Sequence, residues 1–431
     1  MMLIRGRVLS FHADPAEVED AFTYIEDGAL LVDGGRIAAV GDYADLRREG
    51  LTVIDHRPHL ILPGFIDPHL HFPQVQVVAS WGAQLLDWLR DYTFPAEARF
   101  ADPDHAERMA GAFCDMLIAH GTTTACAFAS VHPGSVDALF AAAEARGMAV
   151  LGGKVMMDRN AIPAVQDTAQ QSYDDTKALI ARWQGRGRLT YAITPRFAIT
   201  STPEQLAAAG ALVAEHPDLP MQTHLSENLA EIDFTLSLYP QARDYLDVYD
   251  RFGLLGPRSL MGHSIHLSER EIARMAETGT RAIHCPTSNL FLGSGLFDEA
   301  GLRNAGVVTG VATDIGGGTS YSMLQTLNEA YKVLQMRGQN LPALQAFHWA
   351  TRGNAIALGM EDRIGSLAVG SDADLMVLDA RATPAMALRA ETVGTLAEEL
   401  FLLQIMGDDR AVVETYIAGR PMKVAAKGRR G

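Results

Sequence analysis

The chain carries Asp67-Pro-His69-Leu-His71 directly after the apolar run Leu60-Ile-Leu-Pro-Gly-Phe-Ile66. On an extended segment side chains repeat every two residues, so His69 and His71 share a face and can hold one metal ion. Three more segments put an acid or an imidazole at the end of an apolar, β-rich run: Thr223-His224-Leu-Ser-Glu227-Asn228, Met261-Gly-His263 and Ala312-Thr-Asp314. Imidazoles together with a carboxylate suit Zn²⁺ or Fe²⁺, because borderline metals accept nitrogen and oxygen ligands together. The combination reads as a metal-dependent hydrolase. A second metal would need a bridging group such as a carboxylated lysine at the fourth strand end. The residues there are Thr194-Pro-Arg196-Phe197, so one metal per chain is expected.

These groups need a scaffold that aims strand ends at one place. Strand-like runs at Leu60–Phe65, Thr122–Ala129, Ala149–Val155, Leu189–Ile193, Pro220–His224, Ser259–His263, Arg281–Cys285 and Val307–Thr313 alternate with helical patterns. Eight βα units predict a closed (β/α)₈ barrel, whose chemistry sits at the C-terminal ends of its strands. Ser268-Glu-Arg-Glu271 matches a capping box, and Thr202-Pro203 a helix start. The first 60 residues and the segments Asp374–Asp379 and Val412–Ala418 read as short strands, with a hairpin at Gly34-Gly35. Both ends should therefore pair into one small, discontinuous β-sandwich domain. The expected division is 1–62 and 366–431 for that domain, with 63–365 for the barrel.

At 431 residues the chain can bury a large core, and its 48% hydrophobic and 20% charged composition is that of a globular enzyme. A net charge of -16 argues against nucleic acid. The longest uncharged stretch, Met116 to Val136, is broken by His120-Gly-Thr-Thr-Thr and is no membrane candidate. Cys114, Cys126 and Cys285 form no disulfide framework, and the N-terminus lacks an export signal, so a reduced cytoplasmic compartment is expected.

The motifs together resemble the amidohydrolase superfamily, and within it the branch that deaminates guanine. The resemblance is carried by Pro63-Gly-Phe-Ile-Asp-Pro-His-Leu-His-Phe-Pro-Gln74, by Leu86-Asp-Trp-Leu-Arg-Asp-Tyr-Thr-Phe-Pro-Ala-Glu97 and by Thr194–Phe197 and Thr223–Asn228. Cys285-Pro-Thr-Ser-Asn-Leu-Phe-Leu-Gly-Ser-Gly-Leu-Phe297, Ala312-Thr-Asp-Ile-Gly-Gly-Gly318 and Gly365–Asp374 also carry it. It implies one Zn²⁺ on His69, His71, His224 and Asp314, with iron left open as the metal. It further implies Glu227 as proton shuttle, His263 beside the nucleophilic hydroxide, Asp314 as its proton acceptor, and a homodimer. Zinc lowers the pKa of its water to about 7, and a leaving amine must gain a proton, so these roles are chemically coherent. Purine recognition would fall to Gln74, which donates and accepts, to the fixed donors of Arg196, and to Phe197 as stacking or core surface. Rival readings are a relative acting on another purine, pterin or triazine ring, and a silent scaffold.

Other residues receive plainer readings. Trp81 and Trp88 lie in a long segment after the first strand, a plausible lid, where packing is favoured over ligand contact. His105-Ala-Glu107 has half of a cytidine-deaminase signature but no Pro-Cys-x-x-Cys, and reads as a solvated helix face. Gly316-Gly-Gly318 reads as a flexible turn, His284 as a neighbour of the ligands or a lining residue, and Cys285 as a small buried apolar group.

Overall fold

A computed structural model describes residues 1–81 and 84–423. Runs rich in valine, isoleucine and leucine form the first four strands: β1 (Met2–Phe11), β2 (Phe22–Asp33), β3 (Arg36–Asp42) and β4 (Thr52–Pro63). Ten strands follow: β5 (Phe65–His71), β6 (Thr122–Phe128), β7 (Ala149–Gly153), β8 (Val155–Met156), β9 (Leu189–Tyr191), β10 (Thr194–Pro195), β11 (Met221–Leu225), β12 (Ser259–His263), β13 (Arg281–His284) and β14 (Thr309–Val311). Near the C-terminal end come β15 (Leu375–Leu378), β16 (Val412–Ile417) and β17 (Arg420–Pro421).

Strands from both ends of the chain join in one seven-stranded sheet, in the order β17-β16-β15-β4-β1-β2-β3. A sandwich of two sheets is the expectation from sequence. The ladder is instead continuous, because β1 pairs with β2 on one side and β4 on the other. Ile4, Val8, Leu30, Ile61, Val377 and Tyr416 from five of its strands share one apolar core.

The middle of the chain forms two four-stranded parallel sheets, β5-β6-β7-β9 and β11-β12-β13-β14. Every residue of β5, β6, β7 and β12 is buried, as parallel strands covered by helices require. The sheets touch at two seams. Ile193 bridges Met221 at one, and at the other the Asp314 N–H donates to the His69 carbonyl at 3.0 Å. The helix Pro203–Glu215 opens on the Thr202 side chain, and Glu269–Thr278 opens on a Ser268/Glu271 capping box, as the sequence predicts. Helices Met323–Met336 and Leu396–Met406, which pack together, were not anticipated. Among the described residues no helix is long and apolar enough to cross a membrane.

One expected boundary moves. Leu60–Phe65 is not a single strand: Leu60–Pro63 ends β4 in the terminal sheet, and β5 begins at Phe65 and carries both histidines. Pro63-Gly64, poor ladder residues, mark the break.

Candidate active site

The ends of β5, β11 and β12, and the residues just after β14, meet at one point. His71 Nε2 lies 3.1 Å from His224 Nε2, 3.4 Å from Asp314 Oδ1, and His69 Nε2 lies 3.6 Å from the same oxygen. One ligand atom from each of His69, His71 and His224 falls within a 4.8 Å cluster, as does a second set of His69, His263, Cys285 and Asp314. Burial, reinforced by the neighbouring histidines, pushes all three imidazoles well below their usual pKa, so they are neutral lone-pair donors. His224 Nδ1 donates to the Arg196 carbonyl at 2.7 Å, which fixes the tautomer and turns the Nε2 lone pair inward. Both ring nitrogens of His69 and Nδ1 of His71 are buried without a hydrogen-bond partner. Buried ring nitrogens that converge without hydrogen-bond partners fit a bound cation, and nitrogen with oxygen fits a borderline divalent metal.

Two local features make the convergence possible. A Cβ on Gly262 would lie 2.4 Å from the His69 ring, so this position must lack a side chain. Ser226, His263, Ser264 and Asp314 all adopt positive φ (49°, 68°, 50° and 52°). For residues with a side chain this costs on the order of 1–3 kcal/mol each, and such outliers gather where a site dictates the backbone.

Buried acids complete the centre. Burial pushes Glu227 up to about 7, opposed by a hydrogen bond from Ser294 Oγ to Oε1 at 3.0 Å. Its other oxygen stands 3.4 Å from His263 Nε2, while His263 Nδ1 meets Asn289 Oδ1 at 2.9 Å. Burial likewise raises Asp314 to about 7. Asp67 accepts from the Thr313 hydroxyl at 2.5 Å and from its N–H at 3.2 Å, and so ties β5 to the residue before Asp314.

Next to this centre lies a cavity. Gln74, Arg196, Phe197, His224, Glu227, His263 and Asp314 all line it, as does His71. His69 lies behind them, fully buried. The structure thus brings every candidate residue to one place. One N–H of Gln74 Nε2 is already engaged, donating to Glu97 Oε1 at 2.9 Å, while its side-chain carbonyl oxygen has no partner.

Several plain readings change, while that of Cys285 holds. Trp88 is buried and lines the cavity with Leu85 and Leu89, while Trp81 is 77% exposed. The glycine run is tightly packed rather than loose: a Cβ on Gly318 would overlap the Thr313 carbonyl. His105 is buried edge-on against Phe100, so only Glu107 faces solvent. His284 does not line the cavity; it stacks on Phe297 at 4.5 Å with both ring nitrogens unpartnered. Cys285 is fully buried and its thiol is pushed far up by burial, which removes it as a nucleophile. Missed from sequence were Glu97, Ser294 and Asn289, whose partners lie far away along the chain.

Residues 60–422 match the Amidohydrolase family, and residues 28–49 match an Imidazolonepropionase-like composite domain of bacteria. The chain is 47% identical over 410 residues to the guanine deaminase of Escherichia coli (strain K12), covering 94% of this chain and 93% of that one. A solved structure of the E. coli guanine deaminase superposes with a TM-score of 0.96 at 46% identity, over 98% of this chain and 99% of that one. The guanine deaminase of C. acetobutylicum, solved with guanine bound in the active site, gives 0.88 at 31% identity, over 97% and 99%.

Proposed function

This chain belongs to the amidohydrolase family, and from that premise we propose that it converts guanine and water to xanthine and ammonia. The observation that carries the reading is the shared wall of one cavity. His71, His224 and Asp314 line it together with Gln74, Arg196 and Phe197, the residues that would hold a purine.

In this reading His69, His71, His224 and Asp314 hold one Zn²⁺, which when bound supplies a water acidic enough to react near neutral pH. The chain's own groups do the rest. Arg196 directs donors at the ring oxygen, Gln74 offers an acceptor to a ring N–H, and Phe197 covers an apolar face. Asp314 takes a proton from the attacking water as its oxygen bonds to C2. Glu227, near 7, can carry protons to the ring nitrogen and to the amine, so that the C2–N bond breaks with ammonia as the leaving group. Ser294 holds one carboxylate oxygen of Glu227 and leaves the other facing His263.

Further parts of the proposal concern the whole molecule. The two parallel sheets close into a (β/α)₈ barrel, supported by the Ile193–Met221 bridge and the Asp314–His69 hydrogen bond. The chain divides at 1–62, 63–365 and 366–431, works in the cytoplasm and pairs as a homodimer. The test is ammonia release and ultraviolet absorbance across guanine, adenine, pterins and triazines, on protein with its metal quantified. Guanine should be the best substrate by a wide margin. Equal turnover of adenine, or none of guanine, would defeat the assignment.

A further inference from the structure

Glu97 has no part in the chemistry above, yet it is 1% exposed and lies at the edge of the site. It sits in the short helix Phe94–Ala98, between the long segment after β5 and the next helix. Its Oε1 accepts from Gln74 Nε2 at 2.9 Å and from Arg196 Nη1 at 2.8 Å, and its Oε2 accepts from the same Nη1 at 2.8 Å. Phe94, from the same helix, lies under the guanidinium at 5.4 Å from the ring centroid. One short helix therefore grips both polar residues assigned to purine recognition.

We propose that Glu97 is a positioning residue that sets the hydrogen-bond polarity of the purine wall. An ionised carboxylate only accepts, whereas a glutamine side chain can present either its oxygen or its nitrogen. With one N–H of Nε2 given to Glu97, the Gln74 amide is turned with its nitrogen toward the carboxylate, and its oxygen, buried without a partner, is the atom left to accept. With Glu97 occupying Nη1, Arg196 keeps Nε and Nη2, which have no protein partner among the described residues. The wall then presents donors beside an acceptor. That pattern complements a ring edge with a carbonyl oxygen beside an N–H, and rejects an edge with the opposite order.

The inference rests on the guanine reading, and one comparison separates the two. 2,6-Diaminopurine keeps the amine at C2 but carries an amine in place of the ring oxygen and a bare nitrogen in place of the N–H. The parent should favour guanine over it in kcat/KM by at least about 100-fold, since a site built on hydrogen bonds leaves its buried groups unpaired with the wrong edge. Glu97→Gln can donate as well as accept, and so frees Gln74 to turn its amide. In that variant the preference should fall at least about ten-fold, mainly through a raised KM for guanine, with metal content unchanged and kcat per metal-loaded molecule within about three-fold. A purely structural Glu97 would lower the active fraction and leave the preference intact, which overturns the proposal. If Glu97→Gln does not fold, Gln74→Met leaves the Glu97–Arg196 pair in place and removes the acceptor. It too must lose preference, and a preference equal to the parent's overturns the proposal. A parent inactive on guanine would instead bring down the functional reading, and this inference with it.

Discussion

His71 and His224, 153 residues apart in sequence, present their Nε2 atoms to each other at 3.1 Å, and their rings lie nearly parallel. His224 carries its proton on the far side, against the Arg196 carbonyl, so its Nε2 presents a lone pair to His71. With its own Nδ1 unpartnered, His71 can turn the lone pair of Nε2 to the same point, and a cation there would draw both nitrogens.

The pair gives the first prediction. Elemental analysis should find about one divalent ion per chain, and zinc is expected. His71→Ala should lose the ion and the activity while the far-ultraviolet circular dichroism stays that of the parent. Two tightly bound ions per chain would overturn the single-metal site.

Glu227 separates chemistry from binding. Glu227→Gln keeps the shape and the hydrogen bond from Ser294 but cannot exchange a proton. General acid–base help is typically worth about 10²–10⁴-fold, so turnover should fall at least about 10²-fold with metal and guanine still bound. Turnover within a few-fold of the parent, at full metal occupancy, would remove Glu227 from the reaction.

Gly262 tests whether the backbone of β12 is what leaves room for His69. Gly262→Ala would place a methyl 2.4 Å from the imidazole, inside a fully buried region. A ligand displaced this way should cost about 10–100-fold in metal affinity, with a loss of about 1–3 kcal/mol in stability from overpacking. Competition with a chelator and thermal melting measure the two effects. Unchanged metal affinity would mean that the ring has room to move.

Asp247 bears on acid stability, away from the site. Burial alone would raise its pKa, but hydrogen bonds from the Arg243 side chain and backbone and from Arg251 outweigh it and hold the carboxyl well below its usual range. A depressed folded pKa adds stability above the unfolded value of about 3.9, and that stability is lost as pH falls through the folded pKa. Asp247→Asn should therefore be less stable than the parent at pH 7 by about 1–2 kcal/mol, since the arginines are partly in water. The gap should narrow below about pH 4 in denaturant titrations. A gap that is constant from pH 7 to pH 3 would show that charge is not the cause.

The residue types and their order along the chain were enough to pick out the groups that the fold brings together. His-x-His, Thr-His-Leu-Ser-Glu and Thr-Asp each follow an apolar β run, and strand periodicity is local, so their placement at strand ends is readable without contacts. Pro203 and the Ser268/Glu271 capping box likewise mark helix starts through interactions spanning three or four residues. What sequence could not give is whatever depends on distant partners. Gln74 gives one donor to a carboxylate 23 residues on, Arg196 is held by the same Glu97 from 99 residues away, and Glu227 is held by Ser294, 67 residues away. The left-handed backbone of His263 and Asp314 has no local signature, because side-chain-bearing residues adopt it only when the surrounding structure compels them. Composition and short-range pattern named the groups; only packing in three dimensions decided which way each one faces.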